Sequence, residues 1–377
     1  MEQTEIAYPI LDMSESGTKL KSRSGALDLL RFIAVIIVFF GHYTDTFNYV
    51  YNIVPENLKY LPFSKYASLA MLIFFMVSGY VVTMTSVNKG IKDFAISRLS
   101  RLYPLFWISC AVAFIIPRLP FIQYHYLPYS TLKEFLVNLT MVPSVFGYVM
   151  INPVFHTLLI ELLFYIFIAM IIIFKWWNKL INVIAVMLAL SLISLFSKDI
   201  YLHVLLTPFM GGMIFYLISV NYTSKLKLYG LLSVNFFCAI MSAKPLGIRL
   251  DQFHHIPGDH NLAVMIIIFT LTYLVFLLIA IRIFTISSGR ILKMLGEIAY
   301  PFYLFHIYFL CFYHHFRNSI QADILLFGIL FAAIGSSWLI NWLIEKPLST
   351  LAAKILYSAT SIIRRKSVGK TELIKAT

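Results

Sequence analysis

The first apolar segment of the sequence contains two ionisable residues, Arg31 and His42, eleven positions apart. At 100° per residue, eleven helical steps exceed three full turns by about 20°, so both side chains fall on one helix face. Along the helix axis they are separated by about 16 Å. Ionisable side chains are costly inside a bilayer and commonly mark functional sites there. We therefore take His42 as a candidate general base, with a helix-packing hydrogen bond as the alternative. A membrane-surface anchor is the alternative for Arg31.

A pair of arginines, Arg98 and Arg101, precedes the third apolar segment at a spacing of three residues. On a helix this spacing points both guanidinium groups the same way, which suits the oxygens of a phosphate. Pro104 then fits the first turn of the membrane span. Ordinary cytoplasmic charge is the alternative interpretation.

A single acid, Glu161, stands in an apolar run of some twenty residues. Its expected depth in the membrane is comparable to that of His42. A carboxylate beside an imidazole can fix the tautomer of the imidazole and increase the basicity of that ring. The alternative is a protonated glutamate that makes one hydrogen bond between helices.

Other polar residues in the apolar segments give weaker signals. Ser78 and Gly79, like the stretch from Tyr303 to His306, are more typical of helix packing than of catalysis. His254, His255 and His260 resemble half of a metal site, but the sequence offers no second half, so we predict no metal.

The composition requires a membrane to accommodate these segments. Of the 377 residues, 60% are hydrophobic and 12% are charged, whereas soluble domains carry roughly 25% charged residues. The pattern predicts an all-α integral membrane protein of about ten transmembrane helices. The predicted spans are 28–47, 67–87, 103–117, 154–175, 180–197, 203–220, 228–243, 261–283, 296–316 and 323–344. We expect 133–150 to be an outer-face loop or a re-entrant element packed against protein.

The basic residues indicate how the chain is oriented. With ten spans, twenty-one of the thirty Lys and Arg residues lie on the side of both termini and eight on the opposite side. The positive-inside rule then predicts cytoplasmic N- and C-termini. This placement accounts for much of the net charge of +13 without a nucleic-acid partner. We divide the chain into a cytoplasmic segment 1–24, a transmembrane domain 25–350 and a basic cytoplasmic tail 351–377 that is suited to an anionic membrane surface.

Seven motifs along residues 25–350 resemble those of the acyltransferase-3 family of bacterial multi-pass membrane proteins. They occur in the family's order: Arg31 with His42, Phe74-Phe-Met-Val-Ser-Gly79, Arg98-Leu-Ser-Arg101-Leu-Tyr-Pro104, Thr157-Leu-Leu-Ile-Glu161-Leu-Leu-Phe-Tyr165, Gly211-Gly-Met213, Tyr303-Leu-Phe-His306 and Glu345-Lys-Pro347. One position departs from the pattern, because His156 stands where the family usually has tryptophan.

The resemblance implies an O-acyltransferase in the bacterial cytoplasmic (inner) membrane. Acyl-CoA, with acetyl as the expected acyl group, would bind on the cytoplasmic side through Arg31, Arg98 and Arg101. His42 would deprotonate an acceptor hydroxyl, with Glu161 orienting the imidazole. The acceptor would be a carbohydrate, such as a surface polysaccharide or its lipid-linked precursor. We expect selectivity in the outer segment 244–260 and, for a sugar, at Tyr124, Tyr126 or Tyr129.

Three other functions are compatible with the sequence. A transporter could use the intramembrane charges to line a path for an acyl group or a lipid-linked sugar. The absence of a visible internal repeat in the sequence weakens that reading. Acylation of a small-molecule secondary metabolite is the second alternative, and a polysaccharide-assembly partner with no catalysis of its own is the third.

Overall fold

The structure is a computed structural model that describes residues 23–46, 64–120, 127, 129–194, 200–254 and 260–376. Throughout these ranges the regular elements are helices, and no strand occurs among them. Nine helical stretches in the described ranges are long and apolar enough to cross a membrane. The predicted all-α membrane fold is thus confirmed.

Thirteen α-helices in the described ranges are numbered here in chain order. They are α1 (Gly25–Gly41), α2 (Ala70–Ser86), α3 (Ile91–Ile115), α4 (Leu132–Asn138), α5 (Phe155–Ile173), α6 (Leu180–Ser194), α7 (Ile200–Ser219), α8 (Lys225–His254), α9 (Leu262–Ala280), α10 (Arg290–Phe305), α11 (Leu310–Phe316), α12 (Ala322–Ile340) and α13 (Lys346–Ala376). The predicted span 203–220 corresponds to α7, which contains the apolar stretch Leu206–Ser219, a stretch shorter than the nine candidate spans.

Helices α2 and α7 form the most extensive helix–helix contact in the structure, and α1 packs against both α2 and α10. Glycines allow the close approach of α2 and α7. A Cβ atom added to Gly79 would lie 2.3 Å from the backbone oxygen of Phe209, and one added to Gly212 would lie 2.1 Å from that of Met76. Both distances are shorter than a van der Waals contact. The small residues of these two motifs therefore allow the backbones to meet, as predicted for Ser78 and Gly79.

The prediction that Pro104 begins a membrane span is wrong. Helix α3 starts at Ile91 and contains Pro104 in its interior. The N-terminal half of α3 is held by α13, where the Tyr357 hydroxyl donates a hydrogen bond of 3.0 Å to Asp93. A proline costs a helix one hydrogen bond, and tertiary packing of this kind can outweigh the loss.

The segment 133–150 consists of α4 followed by a short 3-10 turn, Pro143–Phe146. Thr131 and Glu134 form a capping box at the start of α4, in which the hydrogen bond from the Thr131 backbone lowers the pKa of the Glu134 carboxyl. The Trp107 indole donates a hydrogen bond of 3.0 Å to the backbone oxygen of Leu139. The irregular backbone thus obtains a partner from α3, as expected for a segment packed against protein.

The prediction of an outer loop across 244–260 is wrong for its first part, because α8 continues through Pro245 to His254. Ala243 and Leu246 are both buried, so the packing of α8 continues across the proline. His260 lies 2.5 Å from Asp251 through its Nδ1 atom. The described residues contain no group of three or more potential metal ligands. Tyr124, Tyr126 and His255 lie outside the described residues, and the same holds for the His254 side chain.

An ionic network joins the start of α1 to α10 and α13. The Arg23 guanidinium lies 2.5 Å from Asp28 and 3.0 Å from Glu297. The Lys346 ammonium lies 2.8 Å from the second oxygen of Glu297. These contacts fix the N-terminal part of α1, to which Arg31 belongs.

Candidate active site

A cavity of about 760 Å³ opens between α1, α2, α3, α5, α8 and α10. All five residues that were singled out in the sequence line it: His42, Glu161, Arg31, Arg98 and Arg101. Arg31 lies in the N-terminal half of α1 and His42 directly follows its last residue, so the cavity follows the helix from one to the other. The structure therefore joins the candidate anion-binding end and the candidate basic end in one space.

His42 is paired with a second histidine, His306, which directly follows the last residue of α10. The Nδ1 atom of His42 lies 2.9 Å from the Nε2 atom of His306. Their rings are nearly parallel, with an interplanar angle of 7° and centroids 5.2 Å apart. Each histidine begins an irregular turn, a π turn after α1 and a 3-10 turn after α10. Such turns change the direction in which side chains project and are frequent at functional sites.

His306 is almost completely buried, with 1% of its surface exposed. Its Nδ1 atom lies 2.8 Å from the backbone oxygen of Tyr303 and 3.2 Å from that of Phe302. The Phe302 ring is parallel to the imidazole. From the sequence alone, a packing role was the favoured interpretation of His306. The available signal was an ionisable side chain within an apolar span, which is the criterion that singled out His42.

Glu161 lines the cavity, but none of its described hydrogen bonds involves His42 or His306. It accepts a hydrogen bond of 2.5 Å from the Tyr165 hydroxyl and one of 3.2 Å from the Ser78 hydroxyl. These bonds connect α5 internally and join it to α2. A direct role of Glu161 in orienting His42 remains a prediction.

Arg98 occupies a buried position at the arginine end of the cavity, with 6% of its surface exposed. It donates a hydrogen bond to the Thr85 hydroxyl. Its guanidinium lies over the rings of Phe94 and Tyr165, at 5.7 and 5.6 Å from their centroids. Within the described structure its Nε atom is buried and has no hydrogen-bond partner. A donor left in this state is costly, which is a reason to expect an anionic ligand here.

Arg31 and Arg101 complete the positive end of the cavity. Arg31 lies 3.8 Å from Asp28, whose carboxylate also pairs with Arg23. Arg101 lines the same cavity from α3, three residues after Arg98. Three guanidinium groups around a shared space give a site that is suited to phosphate oxygens.

The other end of the cavity is bordered by the connection between α4 and α5. Ser144, Tyr148 and Met150 of this connection line the cavity, together with His156 and Arg249. The Tyr303 hydroxyl, which also faces the cavity, lies 2.7 Å from the Thr157 hydroxyl. This end offers hydroxyl, imidazole and guanidinium groups that can form hydrogen bonds with a polar ligand.

Comparison with known proteins indicates a chemistry for the chain. The model of the acyltransferase-3 family, described as an acyltransferase domain, matches residues 24–343. A protein of Acidianus two-tailed virus, named "Putative acetyltransferase ORF330", is 23% identical over 231 residues, or 59% of this chain. The matched region spans 66% of that relative, slightly less than two thirds of its length. No solved structure matches the chain significantly.

Proposed function

The chain belongs to the acyltransferase-3 family of acyl-transferring enzymes, and we propose that it moves an acyl group from acyl-CoA to a hydroxyl of a carbohydrate. The acyl group is acetyl in this proposal, which the name of the viral relative supports. The acceptor is a surface polysaccharide or its lipid-linked precursor, and the enzyme works in the bacterial inner membrane. The observation that carries the proposal is the single cavity that contains both the arginines and His42.

The donor would bind with its phosphates at Arg31, Arg98 and Arg101. Coenzyme A carries its phosphates at one end and its thioester at the other, so an extended donor needs a long site. The distance of about 16 Å between Arg31 and His42 along α1 supports such a site. Bound in this way, the thioester would lie near His42.

The transfer requires a base and later an acid, and His42 would serve as both. The imidazole takes the proton of the acceptor hydroxyl while the oxygen of that hydroxyl attacks the thioester carbonyl. The new ester bond forms as the carbon–sulfur bond breaks. The imidazolium then returns the proton to the departing thiolate of coenzyme A. Glu161 would stabilise the imidazolium through its negative charge.

The experiment uses membranes that contain the full chain, with acetyl-CoA labelled in the acetyl group. We expect His42→Ala to abolish the appearance of label in carbohydrate while the amount of protein in the membrane stays unchanged. His315→Ala is the matched control, because His315 is exposed and lies outside the residues that line the cavity. Full transfer by His42→Ala would refute the proposal. Passage of the label across the membrane without transfer would favour a transporter.

A further inference from the structure

The contacts of the histidine pair determine which ring nitrogens carry hydrogen. His306 Nδ1 faces the backbone oxygens of Tyr303 and Phe302, at 2.8 and 3.2 Å. A carbonyl oxygen can only accept a hydrogen bond, so Nδ1 must be the N–H of this ring. A neutral imidazole has one N–H, and His306 Nε2 is therefore an acceptor.

A charged His306 is disfavoured by its surroundings. Only 1% of the side chain is exposed, and the Phe302 ring is stacked on it. Among the described residues, no carboxylate forms an ion pair with His306. A buried charge without such a partner carries a large desolvation cost. His306 is thus best described as a neutral ring.

The neutral state of His306 sets the tautomer of His42. His306 Nε2 accepts, so His42 Nδ1, at 2.9 Å, must donate. His42 then carries its hydrogen on Nδ1 and its lone pair on Nε2. The opposite tautomer would place two lone pairs against each other at this distance.

We propose that His306 is a positioning residue that holds His42 in the tautomer with a basic Nε2 atom. This inference rests on the proposed role of His42 as general base. A chain of two hydrogen bonds runs from His42 through His306 to the Tyr303 carbonyl, and the parallel rings fix the orientation of the imidazole. His306 itself does not contact the reacting atoms.

Two substitutions separate this role from simple packing. His306→Gln keeps a side-chain acceptor near the position of Nε2 but removes the flat ring. His306→Phe keeps a flat ring between Phe302 and His42 but removes the acceptor. A packing role predicts the greater activity for Phe, whereas tautomer control predicts it for Gln.

The assay measures kcat and the donor KM of both variants, of His42→Ala and of the control His315→Ala in membranes. We expect His306→Phe to lower kcat by about 100-fold or more, and His306→Gln by less than about tenfold, with the donor KM almost unchanged. If His306→Phe does not accumulate in the membrane, His306→Met replaces it as the variant without an acceptor nitrogen.

The outcomes distinguish the inference from the function on which it rests. An inactive His42→Ala together with a Phe variant as active as the Gln variant, or more active, would overturn the role of His306 alone. A fully active His42→Ala would instead refute the proposed base. Higher activity of the Gln variant, at equal protein abundance, would support the inference.

Discussion

At the scale of single residues, Arg98 is the most closely surrounded of the three arginines proposed to bind the donor, Arg31, Arg98 and Arg101. Thr85 accepts one of its hydrogen bonds, and the rings of Phe94 and Tyr165 flank the guanidinium. Its orientation is therefore fixed before any ligand binds. A preorganised guanidinium loses little conformational freedom on binding and selects for planar oxygen pairs such as those of phosphate.

If Arg98 binds phosphate, its loss should affect only donors that carry phosphate groups. Arg98→Gln should reduce kcat/KM for acetyl-CoA by about 10- to 100-fold, the range expected for loss of a charge-assisted hydrogen bond. Activity with acetyl-pantetheine, which has no phosphate, should change by less than about twofold. Steady-state assays with the two donors measure this difference. Lys92→Gln is the control, since Lys92 is exposed on the same helix and does not line the cavity. Equal losses with both donors would show that Arg98 does not recognise phosphate.

The sequence predicted one half of the histidine pair and missed the other. Arg31 and His42 belong to one helix, so their spacing alone places them on a shared face. His306 is 264 residues away from His42 in the chain, and no local pattern reveals such a contact. The irregular turns at His42 and His306 also depend on tertiary packing, which a helical periodicity does not describe.

At the scale of elements, α7 packs closely against α2, whose residues line the cavity. Gly212 lies so near to α2 that an added Cβ would be 2.1 Å from the Met76 backbone oxygen and 2.8 Å from the Tyr80 nitrogen. Both of these atoms belong to the backbone, so no side-chain rotation can relieve the overlap. The two helices would have to separate.

We accordingly expect Gly212→Ala to destabilise the protein by about 1 to 3 kcal/mol, as overpacking of a tight interface does. The melting temperature in detergent should fall, and less protein should elute as a single species in size-exclusion chromatography. Gly328→Ala is the matched control, because Gly328 is also in a helix and nothing lies within 4 Å of its Cβ position. Alanine favours a helix, so the control should be as stable as the wild type or more stable. Equal melting temperatures of the two variants would contradict the proposed close contact.

Helix existence was easier to predict than helix ends. The apolar runs located the membrane helices, since a span needs about twenty apolar residues. The two wrong boundaries both involve proline, Pro104 in α3 and Pro245 in α8. Proline lowers local helix propensity, and the sequence does not show whether a neighbouring helix compensates. In α3 that neighbour is α13, which begins more than 230 residues after α3 ends.

At the scale of the whole molecule, composition and loop charge together define the fold class and its expected orientation. With the ten spans predicted from the sequence, twenty-one of the thirty basic residues are expected on the side that carries both termini. Arg31, Arg98 and Arg101, which form the arginine end of the cavity, are predicted on the same side. Acyl-CoA is made in the cytoplasm, so the proposed reaction works only if this side is cytoplasmic. A test of the membrane orientation of the chain is therefore also a test of donor binding at these arginines.

Cysteine labelling in intact cells tests this orientation. The three native cysteines are replaced by alanine, and single cysteines are introduced as Gly90→Cys and Val145→Cys. Gly90 has open space at its Cβ position, and Val145 is 76% exposed, so both thiols should be accessible from water. A membrane-impermeant maleimide should label Val145→Cys in intact cells and Gly90→Cys only after permeabilisation, because the positive-inside rule places the loop at Gly90 in the cytoplasm. The reverse pattern would place the arginines on the outer side, away from coenzyme A, and would exclude cytoplasmic acyl-CoA as their ligand.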